Sequence, residues 1–390
     1  MRSLVVIGLF MFIADGCIAQ FPEMHLLPCP STEVPIHSNP TKSAELEKLL
    51  VELTQSGVPG VSLALHSDEG WWTGSAGYAR IEDQILMENC HLQYLQSISK
   101  IYMAVTILKL FEEGRIDLDR SITQYLPNKI SNVVSDAQKI TVRMLLNHTS
   151  GVPEYNSDTE YITELLQHPD HEFYPEDYLK YIDGKKLSFE PGSKFSYRNT
   201  NYVLLASIGD YVTGNHAKYM SEIIVESLGL NNTYYRGSPG YLEYPNLVNS
   251  YWDRYGNSVL ENATYLQRQN VRMLTGDDGI VSTPMDVVKF LKGLMEGRVL
   301  SSATLMEMKT WVPDSSGNPT YGLGLDYISK NGLIAYGHGG AGIGAGAELL
   351  YFPEKNIYVF VGINLGVVTE SPIHQSAEKI LTKIYDVVLK

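Results

Sequence analysis

Ser97 and Lys100 are the two residues of this sequence whose types and spacing point most directly to chemistry. Residues three positions apart on a helix share a face, so the Ser97 hydroxyl and the Lys100 amine can meet. Apolar residues at helical intervals predict a helix from Ser97 to Gly114. Ser97 would then lie at an N-terminus, where free N–H groups and the helix dipole favour negative charge. A serine beside a base at such a position is suited to acyl transfer.

The same spacing recurs at Ser376 and Lys379, so it does not identify the nucleophile by itself. A chain of this length and ordinary composition contains about one such pair by chance. Ser376 falls within a predicted helix over residues 374–388, and no further motif follows it. Ser97 is therefore the stronger candidate.

Tyr197 and Asn199 form a motif that could contribute to a site around Ser97. They follow a Pro-Gly turn and precede an apolar helix, a setting that would present a phenol at the edge of a cleft. A phenol near two cations loses its proton more easily and can act as a general base. A tyrosine hydroxyl that caps a loop would look the same in the sequence.

A third motif, His338-Gly339-Gly340-Ala341, precedes a pair of predicted strands. Its small residues would leave one strand edge open to a substrate carbonyl. A backbone N–H from this strand, together with that of Ser97, would form an oxyanion hole. Taken alone, the histidine could equally be structural and the glycines could mark a bulge.

The elements that must position these motifs change type along the chain. They are predicted as a helix from Thr41 or Ser43 to Gly57, strands over 61–66 and 71–79, a mainly helical stretch over 97–298, strands over 333–336, 344–352 and 357–363, and a helix over 374–388. This order predicts an α+β fold of the α/β-sandwich type, in which an antiparallel sheet is flanked by N- and C-terminal helices. We expect a single domain over 42–390, with the sheet from about 42–95 and 300–390 and a mostly helical subdomain from about 96–299.

The overall composition is that of a globular protein, with 44% hydrophobic and 19% charged residues. The formal net charge of -14 argues against a nucleic acid partner, because phosphate binding needs clustered lysine and arginine. A small-molecule or peptide substrate is the expected partner.

Residues 1–19 have the pattern of a secretory signal peptide, in which Arg2 precedes an apolar stretch and small residues lead to Ala19. The alternative is a lipoprotein signal with a lipid anchor at Cys17. Residues 20–41 are proline-rich and predict an extended segment. No later segment has 18 uninterrupted apolar residues, so we expect a secreted or periplasmic protein without a transmembrane segment in its mature chain.

Cys29 and Cys90 would remain after removal of the signal. In an oxidising compartment they could form one disulfide, or they could stay as two free thiols. Neither lies near a Cys/His cluster with zinc-like spacing, so we expect no metal site and no cofactor.

Taken in order, Ser97-x-x-Lys100, Tyr197-x-Asn199 and His338-x-Gly340 resemble the motifs of the serine β-lactamase and penicillin-binding-protein superfamily. The second motif is similar to that of class C β-lactamases and their relatives, which include DD-peptidases, D-aminopeptidases and family VIII esterases. The resemblance covers nearly all of residues 42–390. It extends to three supporting phrases at Leu145–Gly151, Gly279–Thr283 and Tyr321–Gly324.

The resemblance implies a β-lactamase/transpeptidase-like fold and a role for each residue of the first two motifs. Ser97 would be the nucleophile that becomes acylated, and Lys100 would shuttle its proton. Tyr197 would act as a base and then as an acid toward the leaving group. Asn199 would hold Lys100 or the substrate by hydrogen bonds.

The third motif carries the main departure from these relatives. By resemblance, His338 would support Tyr197 electrostatically, and the N–H of Ala341 would complete the oxyanion hole. Gly339 and Gly340 would lie against the substrate. Relatives usually have Lys-Thr-Gly here, so this chain lacks a hydroxyl and a permanent positive charge that would grip a substrate carboxylate.

We therefore expect a secreted serine hydrolase that forms an acyl-Ser97 intermediate on carboxylic esters or small amides. One alternative is a DD-carboxypeptidase, D-aminopeptidase or β-lactamase acting on peptidoglycan-type or β-lactam substrates. A non-enzymatic alternative is a penicillin-binding sensor that is acylated without turnover. Asp277 and Asp278 are expected to be solvated carboxylates of a turn, with contact to a substrate amine as the alternative.

Overall fold

The structure, a computed structural model, describes residues 39–390 and is built around a nine-stranded antiparallel sheet. Its strands are β1 (Gly60–Ser67), β2 (Gly70–Arg80), β3 (Ile85–Leu86), β9 (Val312–Pro313), β10 (Pro319–Tyr321), β11 (Asp326–Lys330), β12 (Leu333–Ala341), β13 (Gly346–Phe352) and β14 (Ile357–Ile363). Across the sheet they follow the order β3-β2-β1-β14-β13-β12-β11-β10-β9.

The two ends of the chain meet in the middle of this sheet, where β1 pairs with β14. The register runs from Val61 opposite Ile363 to His66 opposite Tyr358. Every residue of β14 is buried, because helices cover both faces of the sheet at this point. A continuous apolar strand is what such two-sided burial requires.

Two helices from opposite chain ends, α1 (Pro40–Gln55) and α12 (Pro372–Val388), cover the outer face of the sheet. Asn39 caps α1 by accepting a hydrogen bond from the Lys42 N–H at 3.0 Å. Pro40 fits the first helical position, since its fixed φ suits the helix and the missing N–H has no intrahelical acceptor there. Residues 40 and 41 are thus helical, and the expectation that the extended segment reaches residue 41 is wrong.

The opposite face of the sheet carries the helical region between the two halves of the sheet. Its helices are α2 (Ser99–Glu112), α3 (Asn128–Ser131), α4 (Val142–Leu146), α5 (Thr159–Gln167), α6 (Pro175–Lys180), α7 (Asn199–Thr213), α8 (His216–Met220), α9 (Thr264–Met273), α10 (Pro284–Met295) and α11 (Ser302–Met308). Helices α2 and α7 run through its centre and are buried over most of their length. Both carry residues of the predicted site.

Short strands tie the helical region together beside the site. A three-stranded sheet is formed by β4 (Gln93–Tyr94), β8 (Val281–Ser282) and β5 (Thr233–Tyr234), in that spatial order, and β6 (Tyr251–Trp252) pairs with β7 (Glu261–Asn262). Tyr94 lies opposite Val281, and the Leu95 N–H donates to the Ile280 carbonyl at 3.0 Å. This pairing brings the segment before Ser97 against the segment that follows residue 276.

The α+β fold class predicted from the sequence is confirmed. The predicted signal peptide, Cys17 and Cys29 lie outside the described residues. Cys90 is disulfide-bonded, which agrees with the disulfide alternative rather than with a free thiol at this position. Within residues 39–390, no helix is both long enough and apolar enough to cross a membrane.

Candidate active site

Ser97 lies in a single 3-10 turn, Gln96–Ile98, and α2 begins two residues later at Ser99. The expected α-helical start at Ser97 is therefore displaced. The physical cause is Gln96, whose φ of 52° is in the left-handed region and interrupts helical geometry before the serine. Such strain in a residue other than glycine occurs often at functional sites.

Lys100 is fully buried and makes three hydrogen bonds through its amine. Nζ lies 2.9 Å from Ser97 Oγ, 2.8 Å from Asn199 Oδ1 and 2.8 Å from the carbonyl oxygen of Asp277. Among the described residues, no carboxylate forms an ion pair with Lys100. Burial lowers its pKa, which shifts the balance toward the free amine, while the carboxylates of Asp277 and Asp278 oppose this shift. A free amine can donate to two of these oxygens and accept the proton of Ser97.

Asn199 is the first residue of α7 and joins Lys100 to the helix N-terminus. Its backbone N–H donates to the Glu154 carboxylate at 2.6 Å, which satisfies one of the open donors at this helix end. Glu154 was not predicted from the sequence, because nothing nearby in the chain marks it as the cap of a helix 45 residues away.

Tyr197 is placed beside the Ser97–Lys100 pair, with Lys100 Nζ 5.1 Å from the centre of its ring. Its hydroxyl is buried and has no hydrogen-bond partner within the described part of the chain. Burial raises its pKa well above the usual value of 10. The expected easy loss of the phenol proton is therefore not found, because desolvation outweighs the influence of the neighbouring Ser97 side chain, which lowers the pKa of Tyr197, and Asp326 raises it further.

His338 does not contact the Tyr197 hydroxyl, and the ring centres are 5.9 Å apart. Its Nε2 lies 3.0 Å from the Tyr321 hydroxyl and its Nδ1 lies 2.5 Å from the Gly339 carbonyl oxygen. Burial lowers its pKa, which favours the neutral ring. His338 therefore makes no direct contact with the Tyr197 hydroxyl that could support it electrostatically. The side chain that His338 contacts directly is Tyr321.

The end of β12 provides the open strand edge that the sequence predicts. Strand β11 pairs with β12 only as far as Gly337, whereas β13 continues to Ala341. Residues 338–341 therefore have one neighbouring strand, and their other edge is unpaired. Ala341 and Ser97 line the same cleft, as an oxyanion hole from their N–H groups would require.

Gly339 and Gly340 do not line this cleft, contrary to the expected contact with substrate. Gly339 lies opposite Glu348, whose carboxylate accepts a hydrogen bond from the Tyr385 hydroxyl of α12. Because residues opposite each other share a face of the sheet, a side chain at 339 would point to the outer face. A Cβ at Gly340 would collide with the Leu95 carbonyl oxygen. Gly340 thus allows β12 to approach the turn that carries Ser97.

Asp277 and Asp278 are only 3% and 6% exposed, so the expectation of solvated turn carboxylates is wrong. One oxygen of Asp277 accepts from the Tyr155 hydroxyl at 2.7 Å, and the other has no partner within residues 39–390. One oxygen of Asp278 accepts from the Gly279 N–H at 2.6 Å. The pairing of β4 with β8 draws this segment into the interior, which no local pattern could reveal.

A chain of hydrogen bonds supports this acidic segment from behind. Gly276 N–H donates to the Tyr235 hydroxyl at 3.0 Å, which lies 3.1 Å from His216 Nε2, and His216 Nδ1 lies 2.7 Å from Asp210 Oδ1. All four groups are satisfied if Tyr235 donates to His216 and His216 donates to Asp210. We call this series the Asp210–Gly276 relay. It fixes the backbone next to Asp277, whose carbonyl holds Lys100.

These elements surround a cleft of about 290 Å³ that is lined by Ser97. Its walls combine polar groups with a large apolar surface. The lining residues are Gln96, Ser97, Tyr155, Asn156, Tyr161, Ile162, Leu165, Leu166, Asn199, Trp252, Asn270, Leu274, Asp277, Asp278, Ala341, Gly342, Ile343 and Val368. The arrangement places the Ser97 hydroxyl, with the Lys100 amine behind it, and the unpaired edge of β12 beside an apolar cleft that also carries two acidic groups.

The sequence profile of the family described as Beta-lactamase matches residues 43–377. The chain belongs to the beta-lactamase family. This membership and the enzymes among its structural neighbours support a serine hydrolase.

Among curated proteins, this beta-lactamase family member is 26% identical over 195 residues to Protein flp of Staphylococcus aureus, covering 49% of this chain and 38% of that protein. It is 25% identical over 292 residues to the putative penicillin-binding protein PbpX of Bacillus subtilis, covering 75% of this chain and 67% of that protein. The chain thus spans well under half the length of flp.

Solved structures show the likeness over most of the chain. A D-stereospecific amidohydrolase from Streptomyces sp. is 27% identical with a TM-score of 0.74, covering 86% of this beta-lactamase family chain and 97% of that one. D-amino acid amidase from Ochrobactrum anthropi SV3 is 25% identical with a TM-score of 0.77, covering 89% and 98%. An octameric penicillin-binding protein homologue from Pyrococcus abyssi is 26% identical with a TM-score of 0.73, covering 89% and 77%.

Proposed function

We propose that this protein hydrolyses carboxylic esters or small amides through an acyl-Ser97 intermediate. The observation that carries the proposal is the 2.9 Å contact between Ser97 Oγ and the buried Lys100 amine. This amine has three hydrogen-bonding neighbours, and no carboxylate of residues 39–390 forms an ion pair with it. A neutral amine in this position can take the serine proton at the moment of attack.

In the acylation step, Ser97 Oγ attacks the substrate carbonyl carbon while its proton moves to Lys100 Nζ. The N–H groups of Ser97 and Ala341 hold the negative charge that develops on the carbonyl oxygen. When the bond to the leaving group breaks, the leaving alcohol or amine takes up one proton. Water then attacks the acyl-enzyme, restores the Ser97 hydroxyl and releases the acid.

Tyr197 is the proposed donor of the proton to the leaving group. Its raised pKa keeps the phenol protonated, and its hydroxyl lacks a hydrogen-bond partner among residues 39–390, although buried polar groups are normally satisfied. A leaving-group oxygen or nitrogen would be that partner. Lys100 would return to Tyr197 the proton taken from Ser97, so the two residues act in sequence.

The electrostatics of the cleft support acyl donors that lack a free carboxylate. The third motif supplies a histidine whose lowered pKa favours the neutral ring, and the cleft wall carries Asp277 and Asp278. Penicillins and peptides ending in D-alanine carry a carboxylate that these acids would repel in their ionised form. The amidase names of two structural neighbours support amides alongside esters.

Intact-mass analysis with a fluorophosphonate tests the nucleophile. The wild-type protein should gain one adduct and Ser97→Ala none, while Ser376→Ala, the matched control on α12, should label normally. Adduct formation in Ser97→Ala would overturn the assignment.

Turnover of p-nitrophenyl acetate and of a chromogenic cephalosporin tests the substrate. Hydrolysis of the ester is expected to exceed that of the cephalosporin. The reverse order would favour the β-lactamase or peptidase alternative, and a stable adduct without turnover of either would favour the sensor.

We also propose that the protein is exported, with residues 1–19 as its signal peptide. The pattern of Arg2, an apolar stretch and Ala19 supports this, as does the disulfide at Cys90, because disulfides persist in oxidising compartments. N-terminal sequencing of the mature protein should begin at Gln20. A lipid on Cys17 would instead support the lipoprotein alternative.

A further inference from the structure

Asp278 is a buried carboxyl group in the catalytic cleft that lacks a basic partner. It is 6% exposed and lines the cleft together with Ser97. Its one hydrogen bond within the described chain comes from the neighbouring Gly279 N–H, and no lysine, arginine or histidine of residues 39–390 forms an ion pair with it. Buried carboxylates are normally paired, because desolvation of an isolated charge is unfavourable.

The neighbouring Asp277 adds to this excess of negative charge. One of its oxygens has no hydrogen-bond partner in the described chain, although the residue is only 3% exposed. Lys100 binds the carbonyl of Asp277 and not its carboxylate. Burial and the charge of Asp277 raise the pKa of Asp278 to about 7. A cation bound beside Asp278 would favour its ionised form. Because this pKa lies near neutral pH, cation binding would change the charge of Asp278.

The remaining wall of the cleft is apolar and partly open. Helix α5 contributes one side of it, where Ile162 and Leu166 are 41% and 43% exposed, and Trp252 lies on another side. Exposed aliphatic groups that line a cleft favour binding of an apolar side chain. The cleft has a volume of about 290 Å³, so one small molecule can contact the apolar wall, Asp278 and Ser97 at the same time.

We propose that Asp278, next to Asp277, binds an ammonium group of the substrate. The substrate class is then esters and amides of amino acids with an apolar side chain and a free amine. This inference rests on the proposed hydrolase function. The ammonium group lies at Asp278, the side chain against α5, and the carbonyl carbon at Ser97 Oγ. The C–O or C–N bond to the leaving group breaks, and water releases the free amino acid.

The test compares the ethyl ester of phenylalanine with the ethyl ester of 3-phenylpropionic acid, which differs from it only in lacking the amine. Both enantiomers of the phenylalanine ester are measured. For the better enantiomer, kcat/KM of the wild-type enzyme should exceed that of the amine-free ester by roughly 10- to 100-fold, as expected for a charge-assisted contact. In Asp278→Asn, which keeps an acceptor for the Gly279 N–H, this ratio should fall toward one. The matched control is Asp286→Asn, because Asp286 is equally buried but lies outside the cleft; its ratio should match wild type.

A second measurement covers the case in which Asp278→Asn does not fold. In wild-type protein, phenylalaninol should slow fluorophosphonate labelling of Ser97 at concentrations roughly tenfold lower than 3-phenylpropan-1-ol. Equal protection by the two compounds, or an ester ratio near one with normal Ser97 labelling, would overturn the ammonium site alone. Loss of labelling at Ser97 would overturn the hydrolase function and the ammonium site together.

Discussion

At the scale of single residues, the proposed mechanism requires Lys100 to be uncharged. Burial lowers its pKa from the ordinary lysine value of 10.5, so the free amine predominates above the lowered pKa and the ammonium form below it. The ammonium form cannot accept the Ser97 proton. We therefore predict that kcat/KM rises with pH through the lowered pKa of Lys100.

The variant Lys100→Arg tests this prediction, because arginine stays protonated at every usable pH. Its kcat/KM should fall by about a thousandfold, within the range for loss of a general base, and the rise with pH should disappear. A pH profile identical to that of wild type would contradict the role of Lys100.

Tyr197 gives a second prediction at this scale, in which stability and activity move in opposite directions. Its hydroxyl is buried and has no hydrogen-bond partner among the residues that the structure describes, so Tyr197→Phe removes an unsatisfied polar group. The free energy of unfolding should stay the same or rise by about 1 kcal/mol. The rate of hydrolysis should fall by roughly a hundredfold or more, because the leaving group loses its proton donor. Urea unfolding and steady-state kinetics measure the two effects, and a loss of stability without loss of rate would contradict the assignment.

The residues of the first two motifs could be predicted because their spacing carries the information. Ser97 and Lys100 meet through helical geometry alone, and Asn199 is marked by the turn and helix around it. The burial of Asp277 and Asp278 could not be predicted, because it follows from the pairing of β4 with β8, almost 190 residues apart. The partner of His338 is likewise set by Tyr321 on a different strand.

At the scale of elements, the approach of β12 to the nucleophile's turn depends on Gly340. We predict that Gly340→Ala lowers activity by at least about tenfold and stability by about 1–3 kcal/mol, because its Cβ would collide with the Leu95 carbonyl oxygen. Gly339→Ala is the matched control, since a Cβ there meets nothing within 4 Å. Its free energy of unfolding should lie within about 0.5 kcal/mol of wild type. Equal effects of the two variants would exclude the proposed close approach.

The Asp210–Gly276 relay gives the second prediction for an element. Tyr235→Phe would leave the buried Gly276 N–H without its acceptor, which should lower the free energy of unfolding by about 1–3 kcal/mol. Activity should also fall, because the loop that holds Lys100 loses its anchor. Tyr244→Phe is a suitable control, since the hydrogen bond of that hydroxyl is exposed. Chemical denaturation and kinetics of both variants check this, and a neutral Tyr235→Phe would show that the relay does not support the loop.

Element types were predicted well where one periodicity runs uninterrupted, as in α4 and β14, whose bounds agree with the sequence prediction. Strand β12 continues five residues beyond the predicted 333–336, because glycine carries no side-chain signal for a strand. The 3-10 turn at Ser97 escaped prediction since the strain resides in Gln96, a residue that rarely adopts a positive φ.

At the scale of the whole molecule, the sheet lies between the outer helices and the cleft, since α12 packs on one face of it and Ala341 of β12 lines the cleft. Ile384 of α12 is fully buried, so Ile384→Ala should lower the free energy of unfolding by about 2–5 kcal/mol. Because β12 belongs to the sheet that α12 covers, loss of Ser97 labelling on heating should coincide with loss of the circular dichroism signal. Met306→Ala, at a residue that is 70% exposed, should leave both midpoints unchanged. Separate midpoints for labelling and dichroism would show that the sheet and the cleft unfold independently.

The pairing of β1 with β14 has a consequence for how this chain is made. Val61 finds its partner Ile363 about 300 residues later, so the centre of the sheet cannot close until β14 has been synthesised. Until then β1 and β2 form a hairpin whose apolar surface must stay covered or be held by other proteins. The enzyme can become active only after β14, the last strand of the sheet, has been synthesised and has paired with β1.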